Sequence, residues 1–205
     1  MLFRSDAPES WQAGHGPWTA HLVMPLPATH VAHMAEQLVW EHKTMGAVAP
    51  SVAAPGEMPD TILFAARLSR GLTLLTQGTS FDLTTQTYLN PSDWQDRALT
   101  IFQTGDHVTV VQGEAPADSR DWFHTLGLSK FGLDELELFQ PAGLPSTPST
   151  DLLLAVADEV LRKGQNQKVA TSLDVPFAAR TIRFVKHRTA TVSGKLVILR
   201  ELELG

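Results

Sequence analysis

The chain has no cysteine, which excludes thiol catalysis, disulfides and cysteine-ligated zinc and makes histidine the first chemical candidate. It carries eight histidines. His30 and His33 stand three apart, Glu36 and Gln37 extend the same ridge, and His42 follows on the same segment. Residues at i and i+3 share a helix face and could share a metal ion. The ridge lacks the His-Glu-x-x-His spacing of a zinc hydrolase, and it lies beside the apolar stripe, where solvated polar residues are expected. No metal site and no cofactor are assigned. Ser129, His124 and Asp134 supply the residue types of a nucleophile, a base and an orienting acid. Such sets are recognised by geometry, not by nearness in sequence. The chain has no Gly-x-Ser-x-Gly elbow, phosphate-binding loop or dinucleotide fingerprint, so no catalytic residue is assigned.

Binding is the other chemistry to consider. The segment from Trp122 to Leu138 combines Gly127 and Gly132 with apolar runs on both sides. Leu136 and Leu138 alternate with Glu135 and Glu137, which predicts a half-buried strand with a solvated acidic side. Trp122, Leu126 and Leu128 repeat that period, so the segment reads as strand, glycine bend, strand. His124, Thr125 and Lys130 are then a candidate exposed polar cluster at the bend. The plainer alternative is a hairpin that plugs a core. Trp122 and Trp94 adjoin polar loops and are candidate binding anchors, whereas Trp11, Trp18 and Trp40 read as core or interface residues. Between Val175 and Leu199 stand Arg180, Arg183, Lys186, Arg188 and Lys195, with no acid. Arg183, Lys186 and Arg188 are the candidate anion or acidic-partner contacts. Strand alternation puts Arg183 and His187 on one face and Lys186 and Arg188 on the other, which splits the patch. A charged terminal hairpin that resists edge pairing, neutralised internally by Asp134, Glu135 and Glu137, explains the same residues.

These residues need elements to hold them. Trp18 to Leu26 reads as a strand, and the apolar spacing of Val31, Met34, Ala35, Leu38 and Val39 predicts a helix to about Lys43. Gly46 to Asp60 reads as a long Ala- and Pro-rich connection. Thr61–Leu68 and Leu72–Thr76 flank Ser69-Arg70-Gly71 and predict a hairpin. Phe81 to Leu89 reads as a strand and Asn90-Pro91-Ser92-Asp93 as a turn or helix start. Ala98–Gln103 and His107–Gln112 predict a second hairpin around Thr104-Gly105-Asp106. A Pro-rich loop over Gln140–Thr150 leads into an apolar helix from Thr150-Asp151 to Lys163, stopped by Gly164. Thr181–His187 and Lys195–Leu204 predict a terminal hairpin through Ser193-Gly194. Two main helices among many strands on short turns point to an α+β fold with a largely antiparallel sheet. The expected organisation is one domain over 1–205. Two closely packed lobes meeting near 114–121 are the open alternative.

The chain has 205 residues, 43% hydrophobic and 19% charged, which is enough to bury a core. A net charge of -6 argues against general nucleic-acid binding. No stretch is apolar enough to span a membrane, and the N-terminus lacks the apolar core of a signal peptide. A cytoplasmic location is expected, and absence of cysteine fits it.

His124-Thr125-Leu126-Gly127-Leu128-Ser129-Lys130-Phe131-Gly132-Leu133-Asp134-Glu135-Leu136-Glu137, followed by a Pro-rich gap and the apolar helix, resembles a group of bacterial domains of unknown function. Their C-terminal part carries a Thr-x-Gly-Leu-x-x-Phe-Gly-Leu-Pro-Glu-Leu signature before a helix. The resemblance runs from Trp122 to Asp174, about a quarter of the chain, and departs at Asp134, where proline is usual. It implies a bacterial source and an α+β fold and carries no catalytic residues. The expected function is a non-catalytic interaction or regulatory protein, an immunity-type or stress-related binder of a protein partner. Acidic immunity proteins that cover basic surfaces are the physical precedent. Homodimerisation through exposed hairpin edges is open. The alternative is a small hydrolase or metal-dependent enzyme using His30, His33, His124 and Glu36.

Overall fold

The computed structural model describes the backbone of residues 2–7, 10–15, 18–27, 44–50, 58–114, 120–175, 180–192 and 194–204, and side chains from residue 58 onward within these ranges except Glu114 and Arg180. The helix expected over 31–43, with its His30, His33, Glu36 and His42, lies outside the described residues, as does 115–119. The chain divides into two compact units, Met1–Phe102 and Gln103–Gly205. The fold is α+β with mostly antiparallel sheets.

The first unit begins with four antiparallel strands in sequential order, β1 (Leu2–Ala7), β2 (Ser10–His15), β3 (Trp18–Pro27) and β4 (Thr44–Pro50). Then comes α1, Met58–Thr76, one helix where a hairpin was expected. Ser69-Arg70-Gly71 looks like turn punctuation, but Arg67 and Arg70 stand one helical turn apart and act together. Arg67 donates to the Leu99 and Thr100 carbonyls at 2.8 and 2.7 Å. Arg70 donates to the Arg97 carbonyl at 3.0 Å. These bonds hold 97–100 as a loop, so the second expected hairpin does not form either. Its first arm is loop, and its turn is the short helix α3 (Thr104–His107), which opens the second unit. Phe81 to Leu89 is a small hairpin, β5 (Ser80–Asp82) and β6 (Thr87–Leu89), whose turn is held by the Asp82 carboxylate accepting from the Thr84 N–H at 2.9 Å. Asn90 caps α2 (Pro91–Gln95) through a capping box with Asp93. This places Trp94 in a core cluster with Leu63, Leu89 and Leu99.

The second unit is a six-stranded sheet in the order β10-β11-β12-β9-β8-β7. Its strands are β7 (Thr109–Glu114), β8 (Arg120–Leu126), β9 (Glu135–Pro141), β10 (Ser172–Val175), β11 (Arg180–Val192) and β12 (Lys195–Leu204). The pair β9/β12 is parallel, and the other pairs of this sheet are antiparallel. The connection from β9 runs through α4, Thr147–Lys163, which starts earlier than expected because Pro148 is tolerated in a first turn. It stops as expected at Gly164, whose φ of 64° suits glycine. Leu153, Val156, Ala157 and Val160 on α4 are buried. So are Phe123, Leu136, Leu138, Ile182, Phe184 and Leu202, which alternate onto one side of the sheet. This is the helix-covered side. Among the described residues no helix is long and apolar enough to cross a membrane, which says nothing of a β-barrel.

Leu153 is wholly buried in this layer while Leu196 is 76% exposed. Leu153→Ala is expected to lower the unfolding free energy by about 2–5 kcal/mol. Leu196→Ala should stay within about 0.5 kcal/mol. Urea denaturation of both variants checks the assignment of core and surface.

Candidate functional site

The motif folds as strand, bend, strand, and four of its polar residues, His124, Thr125, Glu135 and Glu137, are buried. Glu135 is 2% exposed and Glu137 0%. The solvated acidic side expected from alternation is therefore corrected: the period shows that the two carboxylates share a strand, but both are enclosed and satisfied by bonds. Glu135 closes the bend. Its oxygens accept from the backbone N–H groups of Gly127 at 3.0 Å, Leu128 at 3.2 Å and Ser129 at 3.1 Å, and from the Thr125 hydroxyl at 2.8 Å. Thr125 Oγ1 in turn accepts from the Leu136 N–H at 2.8 Å. Successive N–H groups converge on one anion, as in an anion-binding nest, with the anion supplied by the chain itself. Gly127 with φ 128° and Gly132 with φ 72° take the backbone into and out of the single 3₁₀ turn Leu128–Phe131. The motif's Thr, both Gly and Glu are thus one structural device.

Glu137 lies on the side of the sheet away from the apolar layer of Phe123 and Leu138. There it gathers three strands. Arg188 of β11 grips it with both arms, Nε to Oε1 at 2.9 Å and Nη2 to Oε2 at 2.6 Å. Trp122 of β8 donates its indole N–H to Oε2 at 2.9 Å. Trp122 also lies under the Arg188 guanidinium, 5.5 Å from the ring, and stacks on His124 with centroids 4.3 Å apart. Gly113, the β7 partner of Trp122, makes room: a Cβ there would meet Trp122 Cε3 at 3.0 Å. His124 sits directly across from Glu137 in register, is 3% exposed, and among the described residues neither ring nitrogen has a hydrogen-bond partner. Burial pushes its pKa below the ordinary value; Glu137 opposes that shift and Arg188 adds to it.

The candidate residues are therefore placed as follows. His124 and Thr125 are buried, and Lys130 is half-buried and donates to the His107 carbonyl at 2.9 Å, so the expected exposed polar cluster is not formed. Trp122 is half-buried in the Glu137 cluster, and Trp94 is 4% exposed with its N–H donating to Ser80 Oγ at 2.8 Å, which makes it a core residue of the first unit. Ser129, His124 and Asp134 are not assembled. The Asp134 carboxylate accepts from Arg200 Nε at 2.6 Å, while the imidazole of His124 lies against Trp122. Arg183 and Lys186 are exposed, opposite Glu203 and Glu201 in register, and Arg188 is the partner of Glu137. Among the described residues no group of three metal-ligating side chains comes together. The internal neutralisation of the basic hairpin by the acids of β9 was expected from the sequence and is seen in the Arg188–Glu137 pair. That Glu137 is a hub, also taking the Trp122 indole N–H, and that Gly113 makes room for that ring, was missed. The only sequence signal for the hub was an arginine run lacking acids, lying beyond a strand rich in them.

A sheet with one helix laid across it, built around an internal carboxylate lock, defines the second unit as an α+β domain. Residues 108–188 match the family described as "Protein of unknown function (DUF4026) C-terminal". The match spans β7 to Arg188 and so contains the whole strand-bend-strand motif; over this segment the chain is similar to a domain family of unknown function. No curated protein matches the chain.

Glu135→Gln would turn an amide N–H₂ toward backbone donors and remove the charge they bind. It is expected to cost about 2–4 kcal/mol, because hydrogen bonds to a buried charged group are the strong ones. Thr125→Val should cost less: it loses the bond to Glu135 and the acceptor of the Leu136 N–H, but the carboxylate keeps its charge and its three backbone N–H partners. Chemical denaturation with circular dichroism checks the order. A Gln variant as stable as wild type would sink the lock.

Proposed function

We propose that this is a non-catalytic bacterial interaction protein that recognises a protein partner through the outer side of the β11–β12 ribbon. One observation carries the reading. The two strands outrun their neighbours: β10 pairs only with Arg180–Arg183, and β9 only with Leu199–Leu202. Beyond that base the ribbon is two-stranded among the described residues. One side, with Val192, Val197 and Leu199, packs on Leu126, Val111 and Trp122. The other side presents Leu196, 76% exposed, and Ile198, 45% exposed, two residues apart and opposite Thr191 and Thr189. Single exposed apolar residues need no explanation, but an apolar stripe on a strand with a free edge is the kind of surface a partner covers. The basic run contributes less than its count suggests, because Arg183 and Lys186 face acids and Arg188 is spent on Glu137. An apolar contact therefore fits better than a polyanion. A cysteine-free chain suits a reducing cytoplasm, the compartment we assign to this activity.

The test is capture of partners from lysate of the source organism by wild-type protein and by a Leu196→Asp/Ile198→Asp variant, with light scattering of each alone. A stoichiometric partner held by the wild type and reduced at least about tenfold in the variant, the scale of a 1.4 kcal/mol interface loss, supports the reading. A wild-type dimer that becomes monomeric in the variant would make a second copy the occupant. A partner retained in full by a well-folded variant would overturn the ribbon assignment.

A further inference from the structure

The second unit encloses an imidazole that the partner-binding reading does not use. His124 is buried, neither ring nitrogen has a hydrogen-bond partner among the described residues, and its cross-strand neighbour Glu137 is the carboxylate that holds Arg188 of the ribbon. We propose that His124 is a proton switch that loosens the β11–β12 ribbon in acid. Neutral imidazole fits the site as an apolar plate stacked on Trp122. Imidazolium does not, because it brings two N–H donors that need acceptors and a charge that needs a counterion. The facing acceptor is Glu137, whose oxygens are already bonded to Trp122 and to both arms of Arg188. A protonated His124 competes for that carboxylate and sits beside the Arg188 guanidinium with like charge. Opening the ribbon relieves both conflicts.

Among the described residues the charges that act on His124 are Glu137 and Arg188, and the next carboxylate on β9, Glu135, is taken by the bend. From β9 the facing group is Glu137, and from β11 it is Arg188. From β12, Glu201 lies beside Glu137 in register, is paired across the ribbon with Lys186, and acts on Arg188. From β7 the residue opposite His124 is Val111, which carries no charge. The sign follows from linkage. Burial lowers the pKa of His124 in the closed state, while the open state returns it toward 6.5. The open form then binds more protons, so acid favours opening. Below about pH 6.5 the opening constant rises about tenfold per pH unit, until the closed-state pKa is reached. Where the ribbon is the docking surface, this makes partner binding weaker in acid; only that consequence rests on the reading above.

Hydrogen exchange of the ribbon amides (186–192 and 195–198), expressed as protection factors from pH 7.5 to 5, tests the switch without any partner. Wild type should lose protection in the ribbon with a slope of about one proton, while the amides of α4 keep theirs. His124→Phe retains an aromatic plate and cannot titrate, and His124→Gln is the second non-titrating variant should Phe fail to fold. Either should abolish the slope, whereas His187→Asn should keep it. Ribbon protection that is independent of pH in wild type overturns the proposal. A slope that survives in the folded His124 variant does so too, as does an equal loss in α4. Failure of the Leu196/Ile198 experiment with the slope intact would remove the docking surface and leave the switch standing.

Discussion

Two buried carboxylates on β9 are the constraint from which the second unit is built. A carboxylate removed from water costs several kcal/mol unless its oxygens are filled, so each of Glu135 and Glu137 dictates its neighbours. Glu135 takes three backbone N–H groups and a hydroxyl, and in doing so it shapes the bend between β8 and β9. Glu137 takes an indole and a guanidinium, and in doing so it ties β11 to β8 across the sheet. The glycines follow from these demands. Gly127 has to turn its N–H inward at a φ closed to other residues, and Gly113 has to leave room for the indole.

Side-chain period revealed which residues share a face, but not what covers that face. Glu135 and Glu137 alternate with Leu136 and Leu138 in the manner of an amphipathic strand, and the usual consequence is a wet acidic side. Here the second side is enclosed too. Its contents arrive from far away: Arg188 lies 51 residues beyond Glu137, a distance no local pattern bridges. Elements bounded by strong punctuation were legible. Gly164 marks the end of α4, and Gly194 sits in the ribbon turn with φ 78°. The motif's strand-bend-strand course was legible for the same reason.

Punctuation also misled. Ser69-Arg70-Gly71 has turn composition yet lies inside α1, since a single glycine costs a helix only about 1 kcal/mol. Arg67 and Arg70, three apart, more than offset it by capturing backbone carbonyls of 97–100. The same capture removes the strand expected at Ala98–Gln103. Tertiary bonds of arginine thus overrode local propensity twice, with one pair of residues. Trp94 was misplaced for a related reason. Its polar neighbours Asn90, Ser92 and Asp93 are spent on capping α2, and the cap turns the indole into the core.

The Arg188–Glu137 pair is better understood as a device for specificity than for stability. Apolar side chains of similar volume would hold the ribbon as well, because desolvating two charges consumes most of what their attraction returns. What an apolar contact does not fix is register. β11 carries a bulge between Phe184 and Lys186, so the side chains beyond it are re-aimed relative to those before it. A slip of one residue would turn Arg188 outward and leave Glu137 buried without a counterion. The pair penalises that slip severely, while the cluster of Leu126, Val192 and Leu199 penalises it only by area. The parallel β9/β12 pair contains one residue of each anchor, Glu137 and Leu199. The carboxylate that fixes this register is fully engaged by Arg188 and Trp122, and the residue placed directly across from it is His124.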